Sequence, residues 1–436
     1  RCMQIWQLPI IDGAVPIIVY TIAGAFLLIV LVRRWNRRAM LWAAGGALAG
    51  AGLGVALVHV VDRMQLFGPA PLPGFVVPWA AGVLAASGFA LGALVGARWW
   101  RRIVSALAVL VFLVAAAVGI NAGFGLNPTL ATLFGVSGYD PLELPEVGPT
   151  TDVPSVPLAQ SFVPPAGMPT KGSRGTQVIP ATASGFAARP AGIYLPPAAL
   201  VPNAPALPLV IMMMGHPGNP DPTAISDVLD EFAARNHGLA PIVIVADQVG
   251  SANADTACAD SAALGRARTY VTQDVVAWAK AHLRIINDPA FWTIAGYSNG
   301  GGCAISFGAD YPAMWKNILD ISGEPFPGSE QVANITKTVY GGSSEAFEAS
   351  KPVNILAAAP AGTYAGMTAV FTAGSADPAY MAHADTLAAA ARKAGMAVTR
   401  YDIPGVGHTG DALKLGLVEG FTVLYPVLGL SVGQTR

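Results

Sequence analysis

Hydrophobic positions follow one pattern up to about residue 122 and a different one beyond residue 173. In the first part, long apolar runs alternate with short polar turns. Each run approaches the length of about 20 apolar residues that crosses a bilayer. Glycine and alanine are frequent in these runs, which allows helices to approach one another closely. The pattern predicts an all-α transmembrane domain over residues 1–122, with four helices at 14–32, 39–61, 75–97 and 103–120.

The segment 123–172 has no helical periodicity. It is rich in proline, as in "YDPLELPEVGPTTDVPSVPLAQSFVPPAGMP". Such a composition favours an extended, semi-rigid chain and cannot build a core of its own. We therefore predict a linker here.

Beyond residue 173, apolar runs of strand length alternate with segments of helical periodicity. The runs are "LPLVIMMMG", "PIVIVADQ", "FWTIAG", "WKNILDIS", "TAVFTAG" and "AVTRYDIP". This alternation is typical of a mostly parallel sheet with helices on both faces. The pattern predicts a single α/β domain over residues 173–436.

Composition supports a membrane protein and argues against a nucleic-acid partner. Hydrophobic residues make up 53% of the chain and charged residues only 12%, with a net charge of −1. Positively charged loops stay in the cytoplasm. The expected cytoplasmic turns carry Arg33, Arg34, Arg37 and Arg38, and then Arg98, Arg101 and Arg102. We therefore expect a multi-pass protein of the cell membrane, with its N-terminus, linker and α/β domain on the extracytoplasmic side.

The sequence "GYSNG" at 296–300 is a candidate nucleophile site. A predicted strand ends at Gly296 and a predicted helix follows Ser298, which is the strand–turn–helix context of a nucleophile elbow. Serine needs a base for activation, and that base needs an acid to orient it. The motif alone is short, so the partners decide its meaning.

Elimination among the six histidines leaves His408 as the base. The others lie in or beside predicted helices, or precede the serine in the chain. Asp377 follows a predicted strand and completes the chain order Ser298, Asp377, His408. Glu324 remains the alternative acid. Three further carboxylates compete less well: Asp320, Asp402 and Asp411.

Acyl transfer also requires donors for an oxyanion. The backbone N–H of Asn299, directly after the serine, is the first candidate. The strand end "MMMGHPGNP" offers a second, from His216 or from Gly218, because Pro217 has no N–H. We favour His216.

Three cysteines occur, and Cys258 and Cys303 both belong to the domain expected outside the cytoplasm. Disulfides persist in that compartment, so we predict a bridge between them, with two buried free thiols as the alternative. No cluster of cysteine and histidine has zinc-site spacing. We therefore expect neither a metal nor another cofactor.

Several segments together resemble the putative-esterase group of α/β-hydrolases, which includes esterase D-like enzymes and mycolyltransferases. They are "AARPAGIYLPP", "MMMGHPGNP", "DTACADSAALGRARTYVTQDVVAWA", "GYSNGGGCA" and "PGVGHTGDA". A membrane domain in front is similar to the membrane-anchored actinobacterial members. The resemblance implies a triad of Ser298, Asp377 and His408 with an oxyanion hole at His216 and Asn299. The mycolyltransferases use glutamate as the acid, and Asp377 departs from that pattern.

These features predict a serine esterase that acts through an acyl-enzyme on a cell-envelope or lipid-like ester. An acyltransferase that moves the acyl group to a sugar hydroxyl shares the first half of that reaction and stays open. So does a non-catalytic scaffold for envelope assembly. The oligomeric state has no signature in the sequence.

Overall fold

The computed structural model describes residues 5–64, 72–145, 153–251 and 254–431. The chain forms two compact units, Arg1–Phe134 and Gly135–Arg436. The first unit is helical, and the second is built on a mixed sheet.

The first unit contains four principal helices. They are α1 (Ala14–Leu31), α2 (Arg37–Arg63), α3 (Val76–Gly92) and α4 (Trp99–Phe124), followed by a single turn at Leu130–Leu133. Three of them, α1, α2 and α4, are long and apolar enough to cross a membrane. The third has 17 residues and ends before the predicted position 97, because the chain turns through Gly96 with a positive φ of 66°.

Glycines bring the backbones of α2 and α3 into direct contact. A Cβ placed on Gly46 would lie 2.2 Å from the Gly88 carbonyl oxygen, and one on Gly50 would lie 2.0 Å from that of Leu84. No larger side chain fits at either position. Small residues four apart let apolar helices gain dispersion contacts along their backbones, so this stripe of glycines explains how the two helices pair.

We expect Gly46→Leu to destabilise the first unit, by about 1–3 kcal/mol as for other overpacked sites. Thermal unfolding of the purified protein in detergent measures the loss. Gly45→Leu is the matched control, because a Cβ at Gly45 meets nothing within 4 Å. Equal melting temperatures for the two variants would contradict the packing argument.

Part of the predicted linker packs onto the second unit. Leu142 donates its N–H to the Thr176 carbonyl oxygen at 3.0 Å. Leu158, in a single helical turn (Leu158–Ser161), is buried in the main core, and Phe162 packs against that core. The proline-rich composition predicts that this segment has no core of its own. Its few apolar side chains pack instead against the core of the α/β domain.

The second unit has the mostly parallel sheet that the strand pattern predicts, in the α/β-hydrolase fold that the family resemblance implies. Its strands are β1 (Ser173–Gln177), β2 (Ala191–Leu195), β3 (Leu209–Met213), β4 (Ile242–Ala246), β5 (Trp292–Tyr297), β6 (Asn317–Ile321), β7 (Thr368–Gly374) and β8 (Ala397–Ile403). They form one sheet in the order β1-β2-β4-β3-β5-β6-β7-β8. The strands from β3 onward pair in parallel, and β2 pairs antiparallel with both β1 and β4. The central strands are buried along their whole length, as in a sheet covered on both faces.

Helices cover both faces of this sheet. The principal ones are α5 (Thr223–Arg235), α6 (Val275–His282), α7 (Asn299–Asp310), α8 (Val332–Thr338), α9 (Ser344–Ala349), α10 (Pro352–Ala358), α11 (Pro378–Lys393) and α12 (Gly410–Val427). Single helical turns lie at Pro197–Ala199, Ala267–Thr269, Pro289–Phe291 and Ser329–Gln331, and a π-helical turn lies at Tyr270–Asp274. Two short strands, Asp260–Ser261 and Gly265–Arg266, form a separate hairpin. Alternation along β6 separates the faces, because Ile318 meets Gly308 of α7 whereas Leu319 meets Gly420 of α12.

The sequence pattern did not predict the helices α8, α9 and α10. They lie between β6 and β7. Ile335 of α8 and Phe347 of α9 are buried in a small hydrophobic cluster with Ala257, whereas Leu356 of α10 belongs to the main core. Each helix is only six or seven residues long. So few residues show too little hydrophobic periodicity to predict a helix.

Candidate active site

Ser298 lies at the sharp turn between β5 and α7. Its backbone has φ 58° and ψ −119°, in the left-handed half of conformational space that a side chain rarely occupies. The turn brings the chain very close to itself. A Cβ on Gly296 would lie 1.9 Å from the Gly300 carbonyl oxygen, and one on Gly300 would lie 2.2 Å from that of Met213. Glycine is therefore obligatory on both sides of the serine.

His408 lies in the loop between β8 and α12. Its Nε2 is 2.9 Å from Ser298 Oγ, which is hydrogen-bonding distance. The two residues are 110 positions apart in the chain. The structure thus brings together the serine and the histidine that the sequence singled out.

Neither candidate acid is hydrogen-bonded to His408 in this structure. Asp377 follows β7 and caps α11, where its Oδ1 accepts hydrogen bonds from the N–H groups of Ala379 and Tyr380. Glu324 is buried, and its Oε2 accepts from the N–H and the hydroxyl of Ser329. Nδ1 of His408 is buried and has no hydrogen-bond partner among the residues that the structure describes.

The weaker candidate acids lie in other surroundings. Asp320 is buried on β6 against Gly323, beneath α7. Asp402 pairs with Arg400 on the edge strand β8 at 2.7 Å, and its side chain is half exposed. Asp411 lies in the first turn of α12, where a negative charge interacts favourably with the helix dipole.

The loop after β3 lies beside the nucleophile. A Cβ on Gly215 would lie 3.3 Å from Ser298 Cβ, so the loop that continues into His216 passes beside the serine. Asn299 is the first residue of α7, and the first N–H groups of a helix have no partner within it. The loop after β3 and the start of α7 therefore both border Ser298.

Gln248 connects these two loops, and the sequence analysis did not single it out. Its Nε2 donates to the Met214 carbonyl oxygen at 2.6 Å and to Asn299 Oδ1 at 3.2 Å. Asn299 Nδ2 in turn donates to Asp255 Oδ1 at 3.3 Å. The available signal was the position of Gln248, two residues after a buried strand, at the edge where parallel strands end.

A buried ion pair also contacts the loop after β3, through Gly218. The Arg189 guanidinium makes two hydrogen bonds to Asp247, at 3.0 and 2.7 Å, and a third to the Gly218 carbonyl oxygen at 2.8 Å. The Asp247 side chain is fully buried, so the bidentate partner compensates its desolvation. Gly218 is thereby held through its carbonyl group.

Burial shifts the pKa values of several ionisable groups near the serine towards their uncharged forms. Burial, with the nearby Asp255, raises the pKa of Glu324 to about 8 and that of Glu330 to about 7. Burial, with a smaller contribution from His383, lowers the pKa of His408 to about 3. The imidazole is therefore in its neutral form, which can accept a proton from Ser298.

Cys258 and Cys303 form the predicted disulfide, with their Cα atoms 5.7 Å apart. Cys303 lies on α7, five positions after the serine. Cys258 lies in the loop that also carries Asp255. The bond therefore ties this loop to the helix that begins at the nucleophile.

Loss of the disulfide should lower the free energy of unfolding of the second unit. A separation of 45 residues makes a loss of about 2–4 kcal/mol the expected range. Chemical unfolding of the wild type with and without reductant measures it. The double variant Cys258→Ser/Cys303→Ser is the control, since reductant should not affect it further. An unchanged wild-type transition after reduction would contradict a stabilising bond.

Within the described ranges, no group of three or more His, Cys, Asp or Glu side chains is arranged to hold a metal ion. The family model described as putative esterase matches residues 187–396. An uncharacterized protein of Corynebacterium glutamicum is 30% identical over 450 residues, which cover 99% of this chain and 100% of that protein.

Two solved structures are similar to the second unit at lower identity. A ferulic acid esterase is 15% identical, with 59% of this chain and 99% of that one covered and a TM-score of 0.49. An S-formylglutathione hydrolase from Agrobacterium tumefaciens is 16% identical, with 60% of this chain and 97% of that one covered and a TM-score of 0.49.

Proposed function

Because this chain belongs to the putative esterase family, we propose that it is a membrane-anchored serine esterase whose acyl-enzyme forms on Ser298. The single observation that carries the proposal is the 2.9 Å contact between His408 Nε2 and Ser298 Oγ. A serine hydroxyl becomes a nucleophile when such a base accepts its proton.

The same catalytic groups act in both halves of the reaction, which are acylation of Ser298 and deacylation by water. Ser298 Oγ attacks the ester carbonyl carbon as its proton moves to His408 Nε2. The N–H groups of His216 and Asn299 stabilise the resulting oxyanion. The imidazolium then gives the proton to the leaving alkoxide, and the acyl group remains on Ser298. A water molecule then attacks the acyl-enzyme as His408 takes its proton. The free acid is released and the Ser298 hydroxyl is restored.

We assign the acid role to Asp377. It precedes α11, whose first turn carries Tyr380, a residue stacked on His408. The charge of Asp377 also acts on Tyr297 and His383, both near the imidazole. Glu324 is the weaker candidate, because its raised pKa of about 8 leaves it protonated at neutral pH. A protonated carboxyl cannot stabilise the imidazolium by charge.

Asp377→Asn should lower kcat on a short-chain nitrophenyl ester by roughly a hundredfold or more, because the imidazolium loses its counter-charge. Glu324→Gln is the matched control. It replaces a neutral carboxyl by a neutral amide of similar shape and should keep most of the activity. A full-activity Asp377→Asn beside an inactive Glu324→Gln would assign the acid to Glu324 instead.

We further propose that the four helices of the first unit cross the membrane and leave the hydrolase domain on the extracytoplasmic side. The 17-residue helix α3 is about 26 Å long, at the short end of what crosses a bilayer. Arginines flank the two turns after α1 and α3, as cytoplasmic loops require. The substrate class that suits this location is a cell-envelope or lipid-like ester.

A membrane-impermeant fluorophosphonate probe tests the nucleophile and its location together. Ser298 Oγ would attack phosphorus and displace fluoride. We expect labelling on intact cells and none in Ser298→Ala, with less than a tenth of the wild-type rate in His408→Ala because the base is lost.

The remaining outcomes separate the alternatives. Labelling that needs permeabilised cells would place the domain on the cytoplasmic side. No labelling of folded wild type would favour a non-catalytic scaffold. Incubation with an activated acyl ester and trehalose separates hydrolysis, which releases free acid, from acyl transfer, which yields the acyl sugar.

A further inference from the structure

The imidazole of His408 lies between two tyrosine rings. The Tyr380 ring is almost parallel to it, with centroids 3.9 Å apart and an interplanar angle of 15°. Tyr297 covers the other face at 5.0 Å and 16°. Both tyrosines are buried, at 7% and 2% exposure. The plane of the imidazole is therefore set from both sides.

This stack acts where the usual orienting contact is missing. In a serine hydrolase triad, a carboxylate bonded to Nδ1 of the histidine holds the ring in place. In the described part of this chain, Nδ1 of His408 has no hydrogen-bond partner, and Asp377 is engaged in the cap of α11. Nε2 nevertheless points at Ser298 Oγ. The two stacked tyrosine rings are the contacts that the structure shows on the faces of this imidazole.

Each tyrosine is hydrogen-bonded to another segment of the site. Tyr297 directly precedes Ser298, and its hydroxyl donates to the Thr409 carbonyl oxygen at 3.2 Å, next to His408. Tyr380 lies in the first turn of α11, and its N–H donates to Asp377 Oδ1. One ring therefore belongs to the nucleophile turn, and the other to the acid loop.

We propose that Tyr380 is a positioning residue, whose ring, with that of Tyr297, holds the His408 imidazole in the plane that faces Ser298. This inference rests on the proposed roles of Ser298 and His408. The base is then oriented before any carboxylate reaches Nδ1. Aromatic stacking of this kind contributes about 0.5–1.5 kcal/mol beyond area burial.

Ring and hydroxyl of Tyr380 can be separated by substitution. The hydroxyl interacts with the side chains of Ser298 and Glu330, whereas the ring alone contacts the imidazole. Tyr380→Phe keeps the ring and removes the hydroxyl. Tyr380→Leu and Tyr380→Met remove the ring and retain apolar volume. Tyr401→Leu, at an exposed position on β8, is the control for general damage.

The full chain in detergent micelles is assayed for kcat and KM on a short-chain nitrophenyl ester and for the rate of fluorophosphonate labelling. Without the ring, we expect kcat and labelling to fall at least about tenfold, because misorientation of a catalytic group is costly. KM should stay within about threefold, since substrate binding is not lost. Tyr380→Phe should retain most of the rate.

The pKa of His408 gives a readout that does not depend on activity. It is followed by NMR of ring-labelled histidine, with His408→Ala for assignment. Groups that face the imidazole are Tyr297, Tyr380, Ser298 and the positively charged form of His383. Loss of the ring admits water, so the pKa should rise towards its ordinary value of about 6.5 in Tyr380→Leu but not in Tyr380→Phe.

Equal rates and equal His408 titrations for the Phe, Leu and Met variants would overturn the proposal. So would a loss shared by Tyr401→Leu, which would indicate general damage. A wild type that neither labels nor hydrolyses esters contradicts the proposed function. In that case, a pKa that rises only when the ring is lost still supports the positioning role. If Tyr380→Leu fails to fold, Tyr380→Met decides.

Discussion

The close approach of the chain to itself at the β5–α7 turn is the constraint on which this site depends. Gly296 and Gly300 have no room for a Cβ, and between them Ser298 adopts a positive φ of 58°. This conformation lifts the hydroxyl out of the sheet and starts α7 at the next residue. The first N–H groups of that helix are thereby placed beside the nucleophile. A larger residue at either glycine would separate strand from helix and remove this geometry.

Around this turn, the parallel sheet brings distant segments to one edge. Loops after β3, β5, β7 and β8 all leave the sheet at the carboxyl ends of their strands, where α/β folds bind their ligands. Gln248 links two of these loops, and the disulfide ties a third segment to α7. The edge is therefore braced by polar and covalent contacts, and burial there shifts the pKa of His408 downward and that of Glu324 upward.

Much of this arrangement could be predicted without coordinates. The strand runs, the glycines beside Ser298 and the chain order of serine, aspartate and histidine are local or sequential features, so they are visible in one dimension. The short helices between β6 and β7 were missed because six or seven residues carry too little periodicity. Tyr380 was missed because an aromatic residue at the start of a helix has no signature until its neighbour is known. The packing of Leu158 onto the core was missed for the same reason.

The family resemblance implied the α/β-hydrolase fold. The sequence by itself determined the two-part organisation, the mostly parallel sheet and the strand–turn–helix context of Ser298, and it left a bridge between Cys258 and Cys303 as the favoured of two alternatives. These follow from periodicity, from residues that tolerate only certain backbone geometries, and from a small set of cysteines. Only the tertiary structure decided which side chains surround His408. The stacking of Tyr297 and Tyr380 on His408, and the engagement of Asp377 in a helix cap, depend on the relative positions of three segments of the chain. Those positions result from the packing of the whole sheet, because no local pattern encodes a distance between residues 110 positions apart.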